Sequence, residues 1–240
     1  MARRAKPTRS RSRRSWPRRI FGWLCRGIAI FFIGSLLWVL LYKFVPPPMT
    51  FTMIGDWTAG RGIEKDWMPL SRMDPNMARA VIAGEDGKFC THSGFDADAI
   101  EDAIKRNAKG GRIRGGSTIS QQTAKNAFLW QGGGFFRKGL EAYFTLLIEW
   151  IWGKPRIMEV YLNVAETGIG TYGANAGAQR YFGHDASRLT PTEAARIAAV
   201  LPLPKKRAAI DPGGFTRKHG NRLARWVNVI RRDGYDRCLR

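Results

Sequence analysis

Glu85 and Asp86 stand side by side behind the apolar run Ala80-Val81-Ile82-Ala83. A carboxylate at the lip of a core can be held where it takes a proton, because its surroundings set its basicity. Adjacent acids at a helix end are ordinarily solvated, so this pair alone is an ordinary helix terminus. A second group follows, Gly115-Gly116-Ser117-Thr118-Ile119-Ser120-Gln121-Gln122. Paired glycines let backbone approach a ligand, and a helix N-terminus after them presents free N–H groups. Ser117, Gln121 and Lys125 recur every four residues and so share one expected helix face, with a hydroxyl, an amide and an ammonium. That set suits a sugar linked to phosphate, although a polar helix face behind a Gly-rich loop is common. The pattern Gly-x-x-x-x-Gly-Lys-Ser/Thr of a P-loop is absent.

A third group is Arg137-Lys138-x-x-Glu141. At this spacing a surface ion pair is the default reading. The neighbours Phe135, Phe136, Leu140, Tyr143 and Phe144 place the charges instead at a cleft or a membrane surface. Glu85 and Glu141 thus give two carboxylates on separate elements, with Lys125, Arg137 and Lys138 between them in sequence. Glycosyl chemistry commonly uses two carboxylates, and cations stabilise a departing phosphate. His92 reads as a hydrogen-bonded imidazole that shapes a loop, since no second His, Cys or acid stands at metal-ligand spacing.

These groups need helices to hold them. Met77–Glu85 reads as a short helix leading into the first acid. A second begins at Phe95-Asp96-Ala97-Asp98 and stops at Gly110-Gly111. Ser117 or Thr118 caps a third, with Thr118-x-x-Gln121 as a capping box. Helices are also expected over Phe135–Trp152, Pro155–Ala165 and Lys218–Arg232. Thr190-Pro191-Thr192-Glu193 supplies a cap, a proline at the first helical position and a capping acid for another. Residues 49–70 read as short strand or coil. No alternation is long enough for a large sheet, so the chain is expected to be mostly α.

The chain has 240 residues and a formal net charge of +21. Nine basic and no acidic residues fall in positions 1–19, whereas residues 46–240 still carry a net +10. Basic surfaces attract nucleic acid, anionic lipid or phosphate-bearing substrates, and composition does not choose among them. From Ile20 to Tyr42 the run is 23 residues long, interrupted only by Arg26. A spanning helix needs about 20 apolar residues. A cleaved signal would show a shorter core and a small-x-small site. The expected organisation is therefore a basic cytoplasmic tail (1–19), a transmembrane anchor (20–45), a membrane-proximal segment (46–73) and a main domain (74–240) outside the cytoplasm. Pro46-Pro47-Pro48 makes the exit from the bilayer stiff. Cys25, Cys90 and Cys238 are too few for a disulfide scaffold, and free thiols are expected.

Five segments in order resemble the monofunctional peptidoglycan glycosyltransferases, relatives of the glycosyltransferase domain of class A penicillin-binding proteins. They are Glu85-Asp86-x-x-Phe89-x-x-His92-x-Gly94, Gly115–Gln122, Arg137-Lys138-x-x-Glu141, Ile157-x-Glu159-x-Tyr161-Leu162-Asn163, and Thr192-Glu193-Ala194-Ala195 with Leu201-Pro202. The resemblance covers about residues 74–204. It implies a lysozyme-like, mostly helical fold with a small membrane-proximal subdomain after one transmembrane helix. It implies polymerisation of lipid II into glycan strands, by inverting transfer with release of undecaprenyl pyrophosphate. By the same resemblance Glu85 and Glu141 are the catalytic residues, with Glu85 the general base, and Glu141, Lys125, Arg137 and Lys138 stabilise or orient the pyrophosphate. Ser117, Gln121 and Gln122 hold sugar and phosphate. Asp86, Phe89, His92, Gly94, Gly115, Gly116, Glu159, Tyr161 and Asn163 shape the cleft. Partners are lipid II, the growing strand, membrane lipid and other cell-wall synthesis proteins, not nucleic acid. Localisation is the bacterial inner membrane, with the catalytic domain periplasmic. No cofactor is required; a divalent cation bridging pyrophosphate and an acid stays open.

One departure stands out. Relatives carry a basic residue in the loop before Arg137, where this chain has Gly132-Gly133-Gly134. Compensation by Arg112 or Arg114 is one expectation, and Gly133→Arg is the substitution the sequence suggests to test the lost contact. The transpeptidase signatures Ser-x-x-Lys and Lys-Thr-Gly are absent, so polymerisation without cross-linking is expected. Two other readings compete. A glycan-cleaving enzyme of similar fold would need neither pyrophosphate cations nor an apolar loop beside them. A scaffold or nucleic-acid binder would depend on the basic tail alone.

Overall fold

A computed structural model describes residues 16–108 and 116–240. Most of the basic tail, Gly110, Gly111, Arg112, Arg114 and Gly115 lie outside the described residues. The chain divides into two units, residues 1–41 and residues 42–240. The first contains most of α1 (Trp16–Phe44). Its stretch Arg18–Phe44 is 27 residues of apolar helix, long and apolar enough to cross a membrane. At 1.5 Å per residue that is roughly 40 Å, more than the ~30 Å of a bilayer's hydrocarbon.

In the second unit the expectation of strand or coil over 49–70 is corrected. The chain there opens with a helix, α2 (Phe51–Thr58), capped by the Thr50 hydroxyl accepting from the Met53 N–H at 3.3 Å. Its buried Asp56 accepts from Arg61, Lys205 and the Tyr172 hydroxyl. Two of these three partners are more than a hundred residues away, which no local pattern reports. After α2 come β1 (Glu64–Lys65), α3 (Pro75–Glu85), α4 (Ala97–Ala108), α5 (Ile119–Phe128), α6 (Gly134–Ile151) and α7 (Gly153–Val164). Next are β2 (Glu166–Gly168), β3 (Thr171–Tyr172), α8 (Ala174–Phe182), α9 (Pro191–Val200) and α10 (Gly214–Arg232). The sheet is small, in the order β1-β3-β2, with β3 parallel to β1 and antiparallel to β2. The fold is mostly helical.

Two helix layers form the core. α5 packs on α6 and α7; α3, α9 and α10 pack on one another. Ile119, Phe128, Ile148, Ile157 and Met158 fill the first, and Val81, Ile82, Ile197, Val200 and Val227 fill the second. Each fully buried Val, Leu, Ile, Phe or Met is worth about 1.5–3 kcal/mol of transfer free energy. Both expected capping boxes are present, Thr118 with Gln121 on α5 and Thr190 with Glu193 on α9. α8 was not foreseen. Its sequence, Ala-Asn-Ala-Gly-Ala-Gln-Arg-Tyr-Phe, offers no stripe of large apolar residues, because its buried part is the run of five small or polar residues Ala174 to Ala178.

The free-thiol expectation for Cys90 and Cys238 is also corrected. They form a disulfide across a sequence separation of 148 residues, with Cα atoms 5.4 Å apart. The fold brings together what sequence distance kept apart. Cys25 in α1 is a free cysteine.

Candidate active site

α3 delivers Glu85 as its last residue, and Asp86 turns the chain out of the helix. Ile82 and Val81 are fully buried behind it. The Gln122 side-chain amide donates to Glu85 Oε2 at 2.9 Å, and the Tyr161 hydroxyl donates to Gln122 Oε1 at 3.2 Å. The chain of contacts therefore runs from α7 through α5 to the carboxylate. Burial pushes the Glu85 carboxyl above the ordinary glutamate range; the Gln122 bond and the charges of Arg207 and Lys125 oppose that rise, and Asp86 adds to it. A carboxylate of raised basicity, held in place, suits proton abstraction.

Asp86 has a different occupation. Its Oδ2 accepts the Ile119 N–H at 3.0 Å, at the start of α5. His92 Nε2 lies 2.9 Å from the same carboxylate, and His92 Nδ1 accepts the Gly94 N–H at 3.1 Å. With Nδ1 an acceptor, the ring proton sits on Nε2 and points at Asp86. Thr118 completes the joint by donating to the Gly94 carbonyl at 2.6 Å. Phe89 is fully buried under the Lys154 ammonium, 4.6 Å from its ring centre. So Asp86, Phe89, His92 and Gly94 build a loop that fixes the α3 exit to the α5 entry. Gly116 lets that entry run close to α4: a Cβ there would stand 3.0 Å from the Ala99 carbonyl oxygen.

The expected polar face of Ser117, Gln121 and Lys125 is corrected in part. Ser117 precedes α5 rather than belonging to it. Gln121 is buried, and its Oε1 accepts the Thr118 N–H at 3.0 Å in the capping box. The cap's own geometry turns that side chain back along the helix. Gln122, Lys125 and Asn126 are the α5 residues that line the larger hollow of the cleft. Lys125 is held below the ordinary lysine range by burial; Arg137 and Lys138 lower it further, whereas Glu141 and Glu85 raise it. Two acids and two other cations thus act on one ammonium.

On α6, Glu141 is buried and takes Arg137 Nη1 at 2.8 Å and the Lys138 ammonium on its other oxygen. Lys138 also donates to Ser117 Oγ at 3.2 Å, linking α6 to the α5 entry. Arg137 Nε donates to the Gly132 carbonyl. Gly133 has φ +83° and caps α6, and a Cβ on it would lie 2.8 Å from Arg137 Cβ. Gly133→Arg would therefore strain the backbone and press on Arg137, so it cannot serve as a clean test of the missing loop charge. Phe135 and Phe136 are exposed here, Phe135 by 97 %.

Glu159 and Asn163 on α7 stand apart from this group. Glu159 accepts the Leu70 N–H at 2.8 Å and pairs with Arg156, while Asn163 brackets Met68 through its N–H and its carbonyl, each at 2.9 Å. They tie the segment before α3 to α7. Tyr161 differs, since it reaches the Glu85 chain; burial raises its pKa well above the ordinary value.

The Glu85–Gln122 bond stands between two hollows, Glu85 lining one and Gln122 the other. One of about 170 Å³ is lined by Glu85, Lys88, Asp96, Gly116 and Ser117. The other, of about 350 Å³, is lined by Gln122, Lys125, Asn126, Tyr161, Glu166 and Lys205. The sequence reading missed Asn126, Glu166, Lys205 and Arg207. Arg207 follows the Leu201-Pro202 segment and bonds the Ala199 carbonyl at 2.7 Å. The run Lys205-Lys206-Arg207 was the available signal. Among the described residues no three His, Cys, Asp or Glu side chains gather as a metal-ligand set.

A sequence model of the family described as Transglycosylase matches residues 52–231. The chain is 49 % identical over 215 residues to a biosynthetic peptidoglycan transglycosylase of Caulobacter vibrioides, covering 88 % of this chain and 94 % of the relative. It is 47 % identical over 216 residues to the protein of that name from Pseudomonas aeruginosa, covering 88 % and 91 %. A third of that name, from Xanthomonas campestris pv. campestris, is 46 % identical over 225 residues, covering 91 % and 92 %. With the match spanning most of the compact unit and every cleft residue described above, the chain belongs to the transglycosylase family.

Proposed function

We propose that the protein is a membrane-anchored peptidoglycan polymerase that elongates glycan strands from lipid II. The observation that carries the reading is the Glu85 carboxylate, partly buried, of raised pKa, and bonded by Gln122 between two hollows. In this reading Glu85 removes the proton from the 4-hydroxyl of the incoming lipid II sugar. The hydroxyl oxygen bonds to the anomeric carbon of the growing strand. The bond from that carbon to the pyrophosphate oxygen breaks, with inversion from α to β, and undecaprenyl pyrophosphate leaves.

The leaving group gathers negative charge, so it needs cations nearby. Lys125, Arg137 and Lys138 are those cations, and Ser117 shares a hydrogen bond with Lys138. Glu141 acts by holding Arg137 and Lys138 in place rather than by touching the reacting atoms. Gln122 orients Glu85, and Gln121 is left to the helix cap.

The apolar α1 supports a single-pass anchor in the inner membrane, with the Arg-rich tail in the cytoplasm by the positive-inside rule. The Cys90–Cys238 disulfide favours the same orientation, because disulfides persist outside the reducing cytoplasm. The absence of Ser-x-x-Lys and Lys-Thr-Gly supports polymerisation without cross-linking. Purified protein in detergent, given lipid II, should form long glycan strands, and Glu85→Gln should form none. Full activity in Glu85→Gln would remove Glu85 as the base.

A further inference from the structure

Among the described residues one side chain, Gln122, hydrogen-bonds Glu85, so the position of Glu85 depends mainly on the backbone that carries it. That backbone is pinned on both sides by one distant part of the chain. Six residues before Glu85, Arg79 on α3 donates to Asp236 at 2.8 Å. Asp236 is buried and also takes Arg240 at 3.0 Å. Five residues after Glu85, Cys90 is bonded to Cys238, whose own N–H faces the Cys90 sulfur at 3.3 Å. Between the two pins α10 presses Leu223 against Gly84, where an added Cβ would lie 3.3 Å from Leu223 Cδ1.

We propose that the segment 233–240 is a covalent clasp that positions Glu85, and that full activity requires Cys90 and Cys238 to be joined. This rests on the polymerase reading above for the role of Glu85. Closing the clasp takes two electrons and two protons from the paired thiols and passes them to a disulfide-bearing oxidant, which leaves as a dithiol. A dithiol reductant reverses the step. An extracytoplasmic oxidant of this class is therefore a necessary partner in maturation. The clasp acts through the backbone, so Cys90, Cys238, Arg79 and Asp236 are positioning residues. Their loss should lower the rate of the chemical step and leave substrate binding nearly unchanged.

The test uses the full chain in detergent carrying Cys25→Ser, so that the only thiols are the pair. Oxidised protein, protein reduced with dithiothreitol, reoxidised protein, Cys238→Ser and Asp236→Asn are compared for kcat and KM with lipid II, alongside a thiol count. Opening the clasp should lower kcat about tenfold to a hundredfold, the scale of loss when a reacting group is misplaced by ~1 Å, with KM within about twofold. Reoxidation should restore the rate. Equal kcat in oxidised and reduced protein overturns the proposal, whatever happens to the melting temperature. So does a count of two free thiols in the unreduced protein. If oxidised protein makes no glycan at all, the polymerase reading fails instead. The clasp is then judged by amide exchange at residues 83–88, which oxidation must slow.

Discussion

Glu85 carries a cost that its surroundings reveal. Burial disfavours its charged form, so its folded pKa stands above the unfolded value. The stability linked to the neutral carboxyl is present at low pH and is lost as pH rises through the raised value. Glu85→Gln, neutral at every pH, should therefore melt higher than wild type at pH 7 while losing activity, which paired calorimetry and polymerisation assays will read. With Glu85 as the base proposed above, the same shift governs the rate. A base must be deprotonated, so activity should fall with acid at a pH above the ~4.3 of a free glutamate. The groups acting on Glu85 are Gln122, Arg207, Asp86 and Lys125. Arg207 lowers its pKa, so Arg207→Ala should move the acidic limb of the pH–rate profile upward; an unmoved limb would exclude that influence. Glu85 was legible in sequence because an acid ended an apolar run. Gln121 had two readings in sequence, one on a shared polar face and one in a capping box; the capping box is present and takes its side-chain oxygen. Arg207 was missed because the run Lys205-Lys206-Arg207 reads locally as a solvated basic loop, and only the fold brings it near Glu85.

Helices position these side chains through their ends. Thr118 both caps α5 and donates to Gly94 in the loop after Glu85. Thr118→Ala should cost about 1–2 kcal/mol in denaturant titrations, typical of a lost cap, with Thr118→Ser recovering most of it. On α6 the buried Glu141 neutralises Arg137 and Lys138. Glu141→Ala leaves both cations without a counter-charge. Because Lys138 is 46 % exposed, the loss should be about 2 kcal/mol, below the 3–5 typical of a fully buried pair. Activity should fall as well, since the cations lose their fixed geometry. The caps of α5 and α9 were readable because a cap is a local code of four residues. α2 and α8 were not, because distant partners hold Asp56 and α8 buries a run of small or polar residues, Ala174 to Ala178, rather than a large apolar stripe.

For the whole molecule, the apolar α1 was readable from length and hydropathy alone, whereas the disulfide was not. Its two cysteines lie 148 residues apart, and only the packing of α10 and the C-terminal turn against α3 and the loop after it brings them together. In the chain-entropy treatment a ring of this size adds up to about 5 kcal/mol by restricting the unfolded chain. Reduction should therefore lower the denaturant midpoint strongly, and a shift below about 1 kcal/mol would mean that the unfolded chain is already restricted. Cleft residues from α5, α7 and the loop after α9 lie within the span that this one bond closes, and Glu85 on α3 sits just outside it.

That ring also changes what damage to the backbone means. A single peptide-bond cut anywhere between Cys90 and Cys238 leaves two pieces that share a sulfur–sulfur bond. Such nicked protein runs as one species on a non-reducing gel and as two after reduction. For a chain whose ring encloses α4 through α10, one protease encounter is a scar rather than a severance.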